Sequence, residues 1–255
     1  MILKDKVAII TGSAGGIGAA YALGYAKEGA KLVISDIVDG AETVAAVENA
    51  GTEAIFVKCD ISKQEECDAL TKAAMDRFGK IDVLINNAAH FGGLVLRPFT
   101  EISSEEWNKV MEVNTTGPFQ CCKSVFPYMK GGGGGKIVNI SSASVLEGAP
   151  GMPHYVCSKA AVMALTRVLA REMGPHNISV NSIMPGYTMS DAGDRINKDK
   201  QFDMPDIDDI QMPMRCLKRT PMPEDLVGTA IYLGSDLCGL VTGQIIVHDG
   251  GLTFH

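Results

Sequence analysis

The sequence predicts an α/β protein built on a doubly wound parallel sheet of about seven strands flanked by helices. Three observations lead there: apolar, β-branched runs recur along the 255 residues, helical patterns separate them, and a glycine-rich turn follows the first run directly. Strands covered on both faces read as continuous apolar blocks because neither face meets water. The segments between them, such as 16–28 and 63–78, are long enough for the crossovers that parallel pairing requires.

The first run, 7–10, leads into Thr11-Gly12-Ser13-Ala14-Gly15-Gly16-Ile17-Gly18 and then a helical pattern. A second strand at 32–34 is followed by Asp36, and a third at 55–57 by Asp60 and Ile61. The fourth, 83–85, opens into Asn86-Asn87-Ala88-Ala89. Five consecutive glycines, 131–135, read as a flexible connection between a helix ending near Lys130 and a fifth strand at 137–140. The sixth strand, 178–183, runs toward Pro185-Gly186, and the seventh lies at 245–247. Between these two, residues 186–222 depart from the alternation for longer than compact domains usually allow, the mark of a substrate-binding loop, a lid or a disordered segment. Regular order returns at Pro223, Glu224 and Asp225, a first helical turn with acidic residues at the positive end of its dipole. No composition break or Pro-rich linker divides residues 1–255, so one domain is expected.

Composition narrows the function. The chain is 46% hydrophobic and 21% charged, ordinary for a protein with a sizeable core. Its 30 acidic against 23 basic residues, a net charge of -7, argue against nucleic acid and anionic membranes, both of which need clustered cations. No run of eighteen apolar residues spans a membrane, and Lys4, Asp5 and Lys6 interrupt the apolar start, so a cytoplasmic location is expected. Seven scattered cysteines without CxxC spacing read as reduced thiols. The five dispersed histidines, 90, 154, 176, 248 and 255, offer no ligand spacing, and no metal is expected.

The glycine turn opens a helix directly after a strand, where bare backbone can approach a pyrophosphate at the helix N-terminus. Alone it could be a tight strand-to-helix turn. Asp36, about twenty residues on at the end of the second strand, adds a carboxylate able to accept hydrogen bonds from an adenosine ribose. That carboxylate would repel a 2′-phosphate, Ile37 offers no guanidinium to bind one, and position 15 is glycine, so NAD is favoured over NADP. Further along, Tyr155 and Lys159 stand four residues apart, on one face of a helix. A phenol titrates near pH 10, and a close ammonium stabilises its phenolate, making it a usable base near neutrality.

Together, Gly12, Gly16, Gly18, Asp36, Asp60, the Asn86-Asn87-Ala88-Ala89 stretch, Asn114, Ser142, Tyr155, Lys159 and Pro185-Gly186 resemble the short-chain dehydrogenase/reductase family, in its compact single-domain branch. The resemblance runs from residue 6 to residue 251. It implies a Rossmann-type fold and a catalytic tetrad of Asn114, Ser142, Tyr155 and Lys159. The family's serine stands thirteen residues before the tyrosine, which selects Ser142 over Ser141. Tyr155 would exchange a proton with the substrate oxygen, and Ser142 would hydrogen-bond it. Lys159 would lower the phenol pKa and bind the nicotinamide ribose, and Asn114 would hold a water linked to Lys159. Gly12, Gly16, Ile17, Gly18, Asp36, Asp60, Ile61, Asn87, Ala88, Pro185, Gly186, Thr188 and Ser190 would contact the cofactor, along with Tyr155 and Lys159. Ala89 departs from the family's commonest residue there, glycine, which weakens the assignment of that turn.

Hydride transfer between NAD and a secondary alcohol or ketone is therefore expected. Ser142, Ser144, Met152, Tyr155 and Tyr187 are the candidate substrate contacts, with His90, Phe91, Glu147 and residues 189–214 nearby. Met152, Tyr187, Met204, Met212 and Met214 suggest an adaptable, partly apolar pocket under a lid. An acidic lid, with Asp191, Asp194, Asp203, Asp206, Asp208 and Asp209, suits an acidic acyl carrier or coenzyme A poorly, although Arg215, Lys218 and Arg219 partly reverse that argument. A 3-oxoacyl thioester reductase is the enzymatic alternative, and a non-catalytic dinucleotide-binding protein the alternative from another class. The resemblance also implies a homo-oligomer, with a tetramer favoured.

Overall fold

The computed structural model describes residues 1–198, 200–201 and 205–254. Asp203, Met204 and His255, named above, lie outside them. Seven strands, β1 (Val7–Thr11), β2 (Lys31–Asp36), β3 (Ala54–Lys58), β4 (Val83–Asn86), β5 (Gly135–Ile140), β6 (Ile178–Pro185) and β7 (Ile245–His248), pair in the order β3-β2-β1-β4-β5-β6-β7. Every pairing is parallel. Successive strand residues point to opposite faces, and the two cores follow that period of two. Ala8, Ile10, Leu32, Ile34, Val83 and Ile85 enter one core; Ile9, Val33, Leu84 and Ile137 enter the other.

The first core is closed by Tyr21, Ala22 and Tyr25 of α1 (Gly16–Lys27), by Val47 of α2 (Ala41–Asn49), and by a late helix over Pro223–Gly234. The second is closed by Leu70 and Ala74 of α3 (Gln64–Phe78), by Val125 and Met129 of α5 (Gly117–Gly131), and by Leu169 and Met173 of α7 (Pro153–Met173). α4 (Ser104–Met111) precedes α5, Ser103 capping it by accepting from Glu106 N at 3.1 Å. The join between α4 and α5, Glu112–Thr116, is a wide π turn, and α6 (Ser144–Glu147) is a single turn after β5.

Two expectations change. The glycine run is not a free linker: α5 continues through Gly131 and β5 starts at Gly135, so only 132–134 connect them. Both elements keep their backbone hydrogen bonds through residues that lack side chains. Residues 186–222 are also more ordered than their pattern suggested. They form α8 (Asp191–Lys198) and α9 (Ile207–Gln211), and Met189 N donates to Pro221 O at 2.9 Å, drawing the ends of the segment together. α10 then starts at Pro223, as the Pro-Glu-Asp turn predicts. Among the described residues no helix is long and apolar enough to cross a membrane, and no group of three His, Cys, Asp or Glu is arranged to hold a metal ion.

Candidate active site

From β1 the chain builds outward to β2 and β3 on one side, then resumes at β4 on the other. At this switch point the loops after β1 and β4 diverge and leave a crevice beyond the strand ends. The cleft measures about 790 Å³ and is lined by every residue predicted above to bind cofactor or substrate. Of the four predicted catalytic residues it is lined by Ser142, Tyr155 and Lys159 but not by Asn114.

At one end lies the glycine turn. Gly12 has φ +64°, and a Cβ on it would stand 2.6 Å from Ala88 Cα; one on Gly18 would stand 2.1 Å from Gly12 O. The turn is thus packed on the β4 loop and on itself, backbone against backbone. Thr11 and Asn87 brace it: Thr11 Oγ1 accepts from Asn87 N and Ala88 N, both at 3.1 Å, and Asn87 Nδ2 donates to Thr11 O and Gly12 O at 3.0 and 2.8 Å. Thr11 was missed as a positioning residue, because a threonine at a strand end carries no signal of its partner 76 residues away. By contrast, Cβ atoms on Gly15 and Gly16 would meet nothing within 4 Å. α1 has no acidic residue in its first turn and no side-chain cap, so its N-terminal N–H groups are left for an anion. These features fit a pyrophosphate.

Asp36 is held at the rim. Its Oδ2 accepts from Ala14 N at 3.1 Å, and its Oδ1 from Ile37 N and Val38 N at 2.8 and 3.3 Å. Ile37 and Val38 are exposed and carry no charge. Asp60 Oδ1 accepts from Ser62 N and Oγ. Desolvation pushes its carboxyl up, but those two donors outweigh it and hold the group below its ordinary value.

At the other end, α7 presents Tyr155 and Lys159 one turn apart, both buried. Lys159 Nζ lies 5.7 Å from the Tyr155 ring centroid and donates to Ile140 O at 2.8 Å. The adjacent serines separate: Ser141 Oγ donates to Lys159 O at 2.9 Å, whereas Ser142 Oγ accepts from Ser144 Oγ at 2.9 Å. Burial pushes the Tyr155 phenol up to about 12, and a hydrogen bond with Ser142 offsets part of that. Burial likewise pushes Lys159 down to about 8. In both cases desolvation disfavours the charged form.

A stability profile follows from Lys159. Between pH 8 and its ordinary value of 10.5, the unfolded chain binds a proton that the folded chain does not. Stability from this group therefore rises with pH through that window, by about 3 kcal/mol in all. Urea unfolding across this range is expected to show the rise in the wild type and not in K159M; parallel profiles would refute it.

Asn114 occupies the π turn and is buried. Its Oδ1 accepts from His90 N at 2.6 Å, and its Nδ2 donates to His90 O and Ser158 Oγ at 3.3 and 3.1 Å. It makes no hydrogen bond with Lys159; it ties the β4 loop to α7 beside Lys159. Thr188 and Ser190 both line the cleft; Thr188 Oγ1 donates to Gly186 O at 3.1 Å, and Ser190 Oγ accepts from Gly193 N at 3.3 Å.

The substrate end is half apolar. Met152, Leu96, Ile207 and Phe91 line it, the Phe91 ring 4.8 Å from that of Tyr155. Ser144, Glu147, Gln211 and Tyr187 also line the cleft. Tyr187 Oη accepts from Asn197 Nδ2 at 3.0 Å. Arg215 is not part of a basic surface cluster as expected. It is fully buried, Nη1 donating to Asp208 Oδ1 at 2.5 Å and Nη2 to Gln211 Oε1 at 2.8 Å. Arg219 pairs with Asp225, and Lys218 donates to Pro213 O. His154, beside Tyr155, is buried against Glu106 at 3.2 Å.

Known proteins resemble the chain over nearly its whole length. A family model described as enoyl-(acyl carrier protein) reductase matches residues 12–253. A 2-dehydro-3-deoxy-D-gluconate 5-dehydrogenase of Dickeya dadantii is 36% identical, over 98% of this chain and 96% of that protein. A 3-oxoacyl-[acyl-carrier-protein] reductase of Synechocystis is 33% identical over 98% of both chains. The structure of carveol dehydrogenase from Mycobacterium avium in complex with NAD superposes with a TM-score of 0.91 at 27% identity, covering 98% of each chain.

Proposed function

The chain belongs to the short-chain dehydrogenase/reductase family of oxidoreductases, and on that premise we propose that it transfers hydride between NAD and a secondary alcohol or ketone. The observation that carries this reading is the meeting of Ser142, Tyr155 and Lys159 in the same cleft as an uncapped helix N-terminus behind a glycine turn.

When bound, the nicotinamide supplies or accepts the hydride. Backbone N–H groups at 16–18 would hold the pyrophosphate, Asp36 the adenosine ribose, and Asp60 with Ile61 the adenine. Lys159 would bind the nicotinamide ribose, and Pro185, Gly186 and Thr188 would contact the nicotinamide half. Ser142 donates to the substrate oxygen, and Tyr155 gives that oxygen a proton in reduction or takes one in oxidation. Burial keeps the phenol protonated, which readies it as the acid for ketone reduction. Asn114 acts through position, by fixing the β4 loop against α7.

A spectrophotometric screen tests the reading, with NAD and NADP against secondary alcohols, polyols, hydroxysteroids and 3-hydroxyacyl thioesters. NADH formation on secondary alcohols supports it. Turnover on thioesters alone favours the acyl reductase reading, to which the Synechocystis relative lends weight. Dinucleotide binding without turnover favours a binding protein. NAD is the proposed coenzyme because the Asp36 carboxylate lines the cleft at the end of β2 and the exposed residues that follow it, Ile37 and Val38, offer no cation for a 2′-phosphate. Asp36→Ala removes charged hydrogen-bond acceptors and is expected to cut the NAD-over-NADP ratio of kcat/KM by about 10- to 100-fold. An unchanged ratio would remove Asp36 from coenzyme selection.

A further inference from the structure

Glu147 lines the cleft together with Ser142, Ser144 and Tyr155. It ends α6, three residues after Ser144, so both side chains share one face of that turn. Ser144 in turn donates to Ser142. Anything whose oxygen rests on Ser142 and Tyr155 therefore carries its neighbouring carbons toward Glu147.

The carboxylate is held in place. Gln211 Nε2 from α9 donates to Glu147 Oε2 at 2.8 Å, and Gln211 Oε1 accepts from the buried Arg215. Among the described residues, nothing else hydrogen-bonds the carboxylate, and burial pushes its pKa up. A half-buried carboxylate with acceptor capacity to spare is costly unless a donor meets it. A substrate hydroxyl could be that donor. A substrate carboxylate or phosphate would be repelled by Glu147 and by Asp249 beyond it. An ammonium could also pair with Glu147, an attraction that the buried Arg215 guanidinium weakens in part.

Resting on the dehydrogenase reading above, we propose that Glu147 selects a neutral substrate with a second hydroxyl close to the reacting carbon, a diol, polyol or hydroxyketone, accepting a hydrogen bond from that hydroxyl. Met152 and Phe91, which cluster with Tyr155, line the same cleft and suit its apolar carbons.

Matched ring substrates test this: cis-1,2-cyclohexanediol, cyclohexanol, 2-aminocyclohexanol and 2-hydroxycyclohexanecarboxylate. The wild type is expected to favour the diol over cyclohexanol in kcat/KM by about 10- to 100-fold. E147Q, which keeps the shape and the Gln211 contact, is expected to narrow that ratio at least tenfold, and E147D to restore part of it. A wild-type ratio near one, a ratio untouched by E147Q, or preference for the amine or the acid would overturn the assignment. Calorimetry of diol and cyclohexanol binding to the NADH-loaded protein separates this from failure of the dehydrogenase reading. Without any turnover, tighter diol binding that E147Q abolishes still supports the role of Glu147, and equal binding overturns it.

Discussion

Tyr155→Phe is expected to lower kcat by about 10² to 10⁴-fold, the range for losing a positioned general acid or base. The change removes one oxygen from a side chain that is 8% exposed and leaves its ring against Phe91. Packing is retained, so thermal stability and NADH affinity, read by fluorescence titration, should stay close to wild type. The phenol's burial makes the loss severe, since water has poor access to replace the missing proton carrier. Turnover within tenfold of wild type would show that Tyr155 does not carry the proton.

Gly18→Ala is expected to abolish measurable dinucleotide binding, a loss of about 100-fold or more, and to lower stability by about 1–3 kcal/mol. Two effects oppose each other. Alanine gains about 1 kcal/mol of helix propensity over glycine, and Gly18 lies inside α1. Against this, its Cβ would stand 2.1 Å from Gly12 O and 2.7 Å from Asn87 Nδ2. Backbone cannot rotate away as a side chain can, so the turn must move as a unit and carry its N–H groups off the phosphate position. Strain in a packed site exceeds the propensity gain. Gly228→Ala is the control, because Gly228 also lies inside a helix, away from the cleft, and its Cβ would meet nothing within 4 Å. Equal NADH affinity in wild type and Gly18→Ala, measured alongside urea unfolding, would dismiss the argument.

The strands were legible in the sequence because a strand covered on both faces must be apolar without interruption, and each predicted run lies within an observed strand. The glycine turn and Asp36 were legible for a related reason: their spacing is set by one strand, one helix and the next strand, a local unit of fixed geometry. Tyr155 and Lys159 needed only the helical repeat. The two short helices of 186–222 were hidden, since α9 has five residues and too few turns to establish a period.

By itself, then, the sequence determined the sheet, the family it resembles and the residue types of the site, all of which depend on patterns within one βα unit or on motifs in order. Tertiary structure alone decided what each side chain does with its polar atoms. It turned Asn114 toward His90 and Ser158, buried Arg215 with Asp208 and Gln211, and brought Gln211 to Glu147 across 64 residues of chain. It also buried Tyr155 and Lys159, which disfavours the charged form of each. The reason is physical: periodicity records which face of an element is dry, whereas hydrogen-bond partners and desolvation depend on segments far apart in the chain that meet only when the sheet and its helices close.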